Sequence, residues 1–303
     1  MTYRECYGYG IEALTAADIA DAMIDARLLL EFVCHTTRHD LLLHGDRQVD
    51  HEKEMTYKAC IARRSERIPL QHITGEQAFM GYDFMVNEHV LIPRQDTEVL
   101  VEEALHVIKP GMCILDMCTG SGCILLSLLA MSEGCTGIGA DISGEALQVA
   151  RKNKVQVERQ CGKSLSAEFV QSDLFDRIKS GNLRGGTVAS EPAAENDGCF
   201  DVIISNPPYI ASAVIDTLEP EVRLHEPTHA LDGTEDGLYF YRKIVTEGRA
   251  FLKKGGVLLF EIGHDQGEAV AELMNEAGFS GVTVRKDYAG LDRVVYGFYE
   301  EEA

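Results

Sequence analysis

The architecture of this chain follows from one segment, Ile114-Leu115-Asp116-Met117-Cys118-Thr119-Gly120-Ser121-Gly122. Apolar residues run into two closely spaced glycines, and an apolar stretch of helical character, Ile124–Met131, comes next. Glycine is needed where the backbone turns sharply and approaches a ligand closely, and the unpaired N–H groups at a helix start favour a carboxylate or phosphate. The segment predicts a strand, a turn and a helix, with a ligand at the turn. A tight turn without a ligand is the alternative.

Strand-like stretches recur after this segment, and helical stretches follow most of them. The strand candidates are Cys113–Met117, Gly137–Ile142, Glu168–Gln171, Asp201–Ser205 and Val257–Ile262. Such alternation predicts an α/β fold in which helices cover both faces of a parallel sheet. The last two strand-like runs, Val282–Lys286 and Arg293–Tyr299, have no helix between them, so we expect them to pair antiparallel at the sheet edge.

The first part of the chain has helical patterns without a cluster of titratable residues. Thr15-Ala-Ala-Asp18 has the spacing of a capping box, and apolar residues follow it at helical intervals. These apolar residues are Ile19, Met23, Leu30 and Val33. A second helical stretch runs from about residue 50 to 67 and stops before Pro69. We predict a small helical bundle over residues 1–78.

Three arginines near the end of this part, Arg63, Arg64 and Arg67, are candidates for a local basic face that meets a partner. Residues 79–92 contain short strand-like runs around Asn87-Glu88, which predicts a β-hairpin that links the bundle to a second domain, residues 93–303. Between Gly181 and Gly198 the sequence is rich in Gly, Ala, Asn and Glu and lacks periodicity. We expect a mobile surface loop there, between the third and fourth strands of the sheet.

Composition limits the classes of partner. The 303 residues are 45% hydrophobic and 25% charged, as in a globular protein of about two domains. Lys and Arg total 28 against 49 Asp and Glu, and the net charge of −21 argues against direct binding to nucleic acid. The nine cysteines are scattered without any C-x-x-C pair, which argues against a disulfide framework or a metal site. No apolar run nears the ~20 residues of a membrane span, so we expect a cytoplasmic protein without a membrane partner.

Asp141 adds a second signal for a ligand, because it stands at the end of the strand that follows the glycines. An acidic side chain there accepts hydrogen bonds from both ribose hydroxyls of an adenosine cofactor; an exposed loop aspartate is the alternative. Dinucleotide enzymes carry a third glycine under the pyrophosphate, where this chain has Leu125. The pattern favours a ligand without a pyrophosphate, and S-adenosylmethionine is the obvious candidate.

The third motif, Asn206-Pro207-Pro208-Tyr209, follows the fourth predicted strand, at the edge where ligands bind in parallel sheets. Two prolines fix the backbone and leave carbonyl oxygens uncommitted. The Asn206 amide oxygen and the Pro207 carbonyl make two acceptors for a planar NH2 group, and Tyr209 can pack against its flat face. Such acceptors orient a poorly nucleophilic nitrogen toward a methyl group and stabilise its developing charge. A proline-stiffened turn without chemistry is the alternative.

These motifs resemble those of one family closely, the peptide chain release factor glutamine methyltransferases, also called HemK or PrmC. The similar stretches are residues 69–76, 90–98, 114–122, 171–175, 206–210, 225–231, 236–242 and 261–263. They extend over most of the chain. The resemblance implies a seven-stranded Rossmann-like methyltransferase sheet, mostly parallel with an antiparallel edge strand, after an N-terminal helical domain and a β-hairpin.

The resemblance also implies a reaction and a set of site residues. The enzyme would transfer a methyl group from S-adenosylmethionine to the side-chain amide of the glutamine in the Gly-Gly-Gln motif of release factors, leaving S-adenosylhomocysteine. Asn206, Pro207 and Tyr209 would be catalytic and, with Pro208, would bind the substrate amide. Residues 1–78 would bind the acceptor protein. The implied cofactor-binding residues are Cys118, Thr119, Gly120, Ser121, Gly122, Asp141, Asp173, Leu174 and Asn206.

Two positions depart from the family pattern. Cys118 replaces the first glycine of the usual turn, so its backbone must avoid a conformation open only to glycine. Gln95 stands where a proline is common, which loosens the loop into the catalytic domain. The stretch from Gly181 to Gly198 is also longer than we expect between its flanking strands.

Two other functions are alternatives to protein glutamine methylation. An adenine or cytosine amino-methyltransferase needs the same pair of acceptors for a flipped base, but the net charge of −21 and the lack of a basic recognition region disfavour it. A cofactor-binding protein without enzymatic activity would have no use for the Asn206–Tyr209 motif.

Overall fold

The computed structural model describes residues 1–178 and 198–300, which form two compact units. The first unit is Met1–Glu76 together with Leu218–His225. The second is Gln77–Thr217 together with the chain from Glu226 onward. The short segment Leu218–His225 therefore belongs to the helical unit, although it lies far from that unit in the sequence.

The elements of the first unit and of the hairpin come first along the chain. They are α1 (Tyr3–Ala16), α2 (Ala22–Cys34), α3 (Arg38–Leu43), α4 (His51–Ser65), α5 (Leu70–Thr74), β1 (Glu76–Phe79) and β2 (Tyr82–Met85). The following elements are α6 (Gln95–Val107), β3 (Cys113–Met117), α7 (Cys123–Met131), β4 (Thr136–Asp141), α8 (Gly144–Cys161), β5 (Ser166–Gln171) and β6 (Phe200–Ser205). The last elements are α9 (Ser212–Ile215), α10 (Pro220–His225), a 3-10 turn (Thr228–Ala230), α11 (Tyr239–Gly248), β7 (Leu252–Glu261), α12 (Gly267–Glu276), β8 (Phe279–Lys286) and β9 (Asp292–Tyr299).

The capping box of the first helix lies at the start of the chain. The Thr2 hydroxyl accepts a hydrogen bond from the Glu5 amide at 3.2 Å, and the Glu5 carboxylate accepts one from the Thr2 amide at 2.7 Å. The capping box predicted at Thr15 is wrong, because Thr15 lies in the last turn of α1 and Asp18 follows with a positive φ of 58°.

The core of the helical unit contains three of the four apolar residues that the sequence placed on a helix face. Ile19, Leu30 and Val33 are buried, whereas Met23 is 62% exposed. Helix α2 begins only at Ala22, and Met23 stands 100° around the helix from that buried alanine. Met23 therefore does not share the buried face that its helical interval predicted.

Arg64 is buried inside the helical unit and forms two ion pairs. Its Nε donates to Asp25 Oδ2 at 2.7 Å, and its Nη1 donates to Glu221 Oε1 at 2.9 Å. Arg67 Nη1 donates to the same Glu221 oxygen at 3.1 Å. The expected basic face is therefore wrong for these two arginines, whose charges are neutralised within the unit; Arg63 is exposed.

The β-hairpin lies earlier in the chain than the predicted range 79–92. Strands β1 and β2 form a two-stranded sheet over residues 76–85. Its turn is Met80-Gly81, where φ is positive at both residues (49° and 79°), as a two-residue type I′ hairpin turn requires. A turn does form at Asn87-Glu88, where the Val90 amide donates to the Asn87 carbonyl at 3.2 Å, but it follows the hairpin and, contrary to the prediction, does not join its strands.

The main sheet has seven strands in the order β5-β4-β3-β6-β7-β9-β8. The first five pair in parallel, and β9 runs antiparallel to both β7 and β8. The predicted α/β class and the antiparallel pairing of the last two strands at the sheet edge are confirmed. The strand order reverses at β3, which pairs with β4 on one side and β6 on the other.

Alternate residues of the central strands pack into hydrophobic cores on opposite sides of the sheet. Ile114 and Ile204 belong to one core, and Leu115 and Ile203 belong to the other. Helix α7 lies in the first core and is buried on all sides from Cys123 to Ala130, as a sequence that is apolar except for Ser127 requires. Helices therefore cover both faces, as the sequence predicted. The mobile loop predicted over residues 181–198 lies, except for Gly198, outside the described residues.

Replacing Gly10 by alanine is expected to lower the free energy of unfolding by about 2 to 4 kcal/mol. The added Cβ would lie 2.0 Å from the Tyr57 hydroxyl. This hydroxyl is buried and donates to the Ala26 carbonyl at 3.1 Å, so the substitution crowds the core and removes that hydrogen bond. Urea unfolding followed by far-ultraviolet circular dichroism measures the change.

Gly8→Ala is the matched control in the same helix, because nothing lies within 4 Å of its added Cβ. At position 8, alanine is expected to raise the free energy of unfolding by about 0.5 to 1 kcal/mol, because its helix propensity exceeds that of glycine. Equal effects of the two substitutions would contradict the packing of α1 against Tyr57.

Candidate active site

A cavity of about 300 Å³ opens at the carboxyl ends of the parallel strands. Its walls include the ends of β3 and β4 and the loops that follow β3, β4, β5 and β6, at the point where the strand order reverses. Ligands bind at this position in open α/β sheets. The predicted site residues in its wall are Cys118, Thr119, Gly120, Ser121, Asp141, Asp173, Leu174, Asn206 and Pro208. The other predicted residues, Gly122, Pro207 and Tyr209, lie next to the wall in the chain and do not line the cavity.

The glycine turn, Cys118–Gly122, joins β3 to α7. Gly122 caps the helix with a φ of 77°, and a Cβ on it would lie 3.2 Å from the Ala150 Cβ and from a Leu126 methyl group. Gly120 has a φ of 53° and open space where a Cβ would be. Cys118 has a φ of 62°, in the left-handed region that glycine prefers but other residues also reach. The turn therefore brings backbone to the cavity wall.

Asp116, the last but one residue of β3, holds the turn from beneath. Its buried carboxylate accepts a hydrogen bond from the Thr119 hydroxyl at 2.5 Å and one from the Leu125 amide at 3.3 Å. Burial raises the pKa of Asp116 to about 7, although these two donors lower it. Asp116 thus connects the glycine turn at Thr119 to the first residues of α7 at Leu125.

Asp141 connects the end of β4 to the glycine turn. Its Oδ2 accepts a hydrogen bond from the Gly120 amide at 2.8 Å, and its Oδ1 accepts one from the Ser143 amide at 2.9 Å. Burial raises the pKa of this carboxyl, and the two amides oppose the shift. Each carboxylate oxygen can accept a further hydrogen bond, so Asp141 can bind two hydroxyl groups of a ligand.

The loop after β5 contributes Asp173 and Leu174 to the wall. The Ser172 hydroxyl donates to the Leu174 carbonyl at 2.7 Å, which holds the loop in a tight turn. Leu174 has a φ of 45°. The apolar side chain of Leu174 and the carboxylate of Asp173 are therefore neighbours in the cavity wall. Together they suit a ligand ring that has apolar faces and polar edges.

The NPPY turn, Asn206–Tyr209, follows β6 directly. The Ser205 hydroxyl donates to the Met117 carbonyl at 2.6 Å and ties the end of β6 to β3. Asn206 Nδ2 donates to the Thr97 hydroxyl at 3.4 Å, so Oδ1 is the amide atom left to accept a hydrogen bond. The Tyr209 carbonyl accepts from Gln266 Nε2 at 3.0 Å.

Two glycines allow a neighbouring loop to support the NPPY turn. A Cβ on Gly233 would lie 2.7 Å from the Tyr209 Cα, and one on Gly237 would lie 2.4 Å from the Tyr209 carbonyl oxygen. The Gly233 amide donates to the Ile210 carbonyl at 2.8 Å. These close approaches leave no room for larger residues and keep the turn in one position.

Several residues of the cavity wall were not assigned by the sequence. They are His89, Val90, Leu91, Pro93, Arg94, Thr97, His229, Ala230, Tyr239 and Phe240, among others. Most lie in the stretches 90–98, 225–231 and 236–242, so similarity to the family was the signal that could have found them. Arg94 forms an ion pair with the buried side chain of Glu226, whose pKa burial raises.

The chain matches two known families. Residues 5–75 match the family described as the PrmC N-terminal domain, and residues 108–286 match the family described as a methyltransferase domain. Over 299 residues the chain is 39% identical to a release factor glutamine methyltransferase of Caulobacter vibrioides, covering 98% of this chain and 96% of that protein. It is 38% identical over 288 residues to a release factor glutamine methyltransferase of Agrobacterium fabrum, covering 93% of this chain and 92% of that protein.

A crystal structure of a methyltransferase from Pyrococcus furiosus has a similar fold. The TM-score is 0.51 at 18% sequence identity, and the match covers 79% of this chain and all of the other. In the described part of the chain, every helix is too short or too polar to span a bilayer.

Gly122→Ala is expected to lower the free energy of unfolding by about 2 to 4 kcal/mol, since alanine is strained at positive φ and its methyl group would crowd Ala150 and Leu126. Gly120→Ala adds the backbone strain without the crowding. It is expected to lower the free energy of unfolding by about 1 to 2 kcal/mol. Thermal unfolding of the two variants compares them. A larger loss at Gly120 would contradict the described packing of the glycine turn.

Proposed function

The chain belongs to the release factor glutamine methyltransferases, and we propose that it methylates the side-chain amide nitrogen of the glutamine in the Gly-Gly-Gln motif of peptide chain release factors. It is an S-adenosylmethionine-dependent protein-(glutamine-N5) methyltransferase, and S-adenosylhomocysteine is the second product. When bound, S-adenosylmethionine supplies a methyl group on a positively charged sulfur, which a weak nucleophile can attack.

The cavity suits S-adenosylmethionine in size and in chemistry. Its volume of about 300 Å³ is at the lower end of small-molecule sites, roughly 300 to 1,000 Å³. The Asp141 carboxylate can accept hydrogen bonds from the two ribose hydroxyls, and Asp173 with Leu174 can flank the adenine. The glycine turn can hold the amino-acid part, because the first amides of α7 favour its carboxylate.

The NPPY turn provides acceptors for the glutamine amide. The nitrogen of an amide is a poor nucleophile because its lone pair is delocalised. Asn206 Oδ1 and the Pro207 carbonyl can accept both of its hydrogens, which would orient the nitrogen and stabilise the positive charge that develops on it. Pro208, which is in the cavity wall, would pack against the flat amide group. Tyr209 does not line the cavity and would support the turn from behind, through its contact with Glu261.

One observation carries this proposal, the pairing of β3 with β6. Met117 is the register partner of Ser205, so the next residues, Cys118 and Asn206, leave the sheet side by side and line one cavity. Residues that suit a methyl donor thus lie beside residues that suit an amide acceptor.

We further propose a division of labour along the chain. Residues 1–78 would bind the acceptor protein, and residues 93–303 would carry out methyl transfer. Residues 79–92 would link these two domains. The match of residues 5–75 to the PrmC N-terminal domain supports the first assignment. Exposed Leu42 and Leu43 on α3 are apolar side chains suited to a protein partner.

Incubation with isotopically labelled S-adenosylmethionine tests the function. A release factor with an intact Gly-Gly-Gln motif should take up label, and the same factor with that glutamine replaced by alanine should not. Duplex DNA is the third acceptor, since an amino-methyltransferase acting on bases would need the same motif. Label in DNA, or label in both release factors alike, would reject the proposed function.

Asn206→Ala is expected to lower turnover by about 100- to 1,000-fold, the usual cost of losing one preorganised polar contact to the transition state. Binding of S-adenosylmethionine, measured by calorimetry, should change much less. Asn275→Ala removes the same group from an exposed position on α12 and serves as the control. Turnover of the Asn206 variant near that of the control would remove Asn206 from the reaction.

Asp141→Asn is expected to weaken binding of S-adenosylmethionine by about 10- to 100-fold, since hydrogen bonds to a charged group are lost. Calorimetric titration of the folded variant gives the dissociation constant. Asp176→Asn, an exposed change in the loop after β5, should leave it unaltered. An unchanged affinity at Asp141 would mean that the ribose binds elsewhere.

A further inference from the structure

Glu261, the last residue of β7, is buried directly behind the NPPY turn and does not line the cavity. Its side chain is 2% exposed. The Tyr209 hydroxyl donates to Glu261 Oε1 at 3.5 Å. The Thr97 hydroxyl also interacts with the carboxylate, and Oε2 has no hydrogen-bond partner among the described residues.

The Thr97 hydroxyl therefore lies between Asn206 and Glu261. A hydroxyl has one proton to donate and accepts with its oxygen, whereas a carboxylate only accepts. If the proton of Thr97 points to Glu261, its oxygen is left to accept from Asn206. The amide of Asn206 must then turn Nδ2 toward Thr97, as the structure has it at 3.4 Å.

We propose that Glu261 and Thr97 are positioning residues for methyl transfer, which fix the direction of the Asn206 amide so that its oxygen is the atom offered to the substrate. The inference rests on the proposed function of Asn206. At a pH above its pKa of about 7, Glu261 is ionised and can only accept. Without that acceptor, the Thr97 hydroxyl could donate to Asn206 instead. The amide would then turn over and present NH2, which repels the NH2 group of a glutamine.

Tyr209 gives Glu261 a second connection to the same turn. Its hydroxyl can donate to the carboxylate while its carbonyl is held by Gln266. The two ends of the NPPY turn thus meet one carboxylate, Asn206 through Thr97 and Tyr209 directly.

The charge on Glu261 is costly for the fold. Burial raises the pKa of Glu261 to about 7, although Thr97, Arg293 and Tyr209 lower it. The groups that face it are Asp96 and Thr97 on α6, Cys123 on α7, Tyr209 after β6, Tyr241 on α11 and Arg293 on β9. A carboxyl whose pKa is higher in the folded state destabilises the fold increasingly as pH rises from 4.5 to 7, and by a constant amount above that.

The test compares isosteric variants of the full-length protein. Thr97→Val keeps the shape and removes the hydroxyl, Thr97→Ser keeps the hydroxyl, and Glu261→Gln keeps the shape but can donate as well as accept. For each variant, kcat with the release factor, KM for S-adenosylmethionine and Tm are measured. Thr246→Val makes the same change at an exposed position on α11 that does not line the cavity, and is the control.

We expect Thr97→Val and Glu261→Gln to lower kcat by about 10- to 100-fold, because a misdirected amide loses its contact in the transition state. KM for S-adenosylmethionine should stay within about 2-fold in Glu261→Gln, since Glu261 does not line the cavity. Thr97→Ser should restore most of the turnover. Glu261→Gln should raise Tm at pH 8, and the gain should shrink at pH 5, where the wild-type carboxyl is already protonated.

Three results would overturn the inference: wild-type kcat in both Thr97→Val and Glu261→Gln, equal losses in Thr97→Val and Thr97→Ser, or a kcat loss in Glu261→Gln that is matched by a lower Tm. If Thr97→Val fails to fold, Glu261→Gln alone tests the inference. A lower kcat together with a higher Tm supports it. Failure of the proposed function is distinguishable, because the wild-type enzyme would then leave the release factor unmethylated.

Discussion

The parallel pairing of β3 with β6 is the constraint on which the rest of the site depends. Both strands carry apolar residues on both faces, so they are stable only in the centre of a covered sheet. Once Met117 and Ser205 are partners, the glycine turn and the NPPY turn must leave the sheet next to each other. The hydrogen bond from Ser205 to the Met117 carbonyl fixes the last step of that register.

Buried carboxylates then hold the two turns, at a cost to the stability of the fold. Asp116 lies under the glycine turn, and Glu261 lies behind the NPPY turn. Burial raises the pKa of both to about 7, so ionisation of either is unfavourable in the folded chain. Polar groups that are rigidly held in a nonpolar surrounding are also what a preorganised active site requires. The same low dielectric that makes these charges expensive makes their hydrogen bonds strong.

The sequence predicted the sheet well, because strand periodicity and glycine turns are local signals. Cys113–Met117 was predicted to the residue. Prediction from the sequence failed where long-range packing decided the outcome. Met23 is exposed, and Arg64 is neutralised by Glu221, 157 residues away. The contribution of Glu261 to the site was invisible for the same reason, since nothing local ties the end of β7 to Thr97. Motifs indicate which groups meet the ligand, but only the fold shows which groups hold them in place.

The return of Leu218–His225 to the helical unit has a consequence for how this protein can be divided. The chain leaves the second unit after Thr217, contributes Glu221 to the ion pairs of Arg64 and Arg67, and returns to the second unit at Glu226. Neither unit is therefore encoded by one uninterrupted stretch of gene. A fragment cut near residue 76 would lack the carboxylate that neutralises two of its arginines, and recombination between relatives would preserve both units only if it exchanged the two segments together.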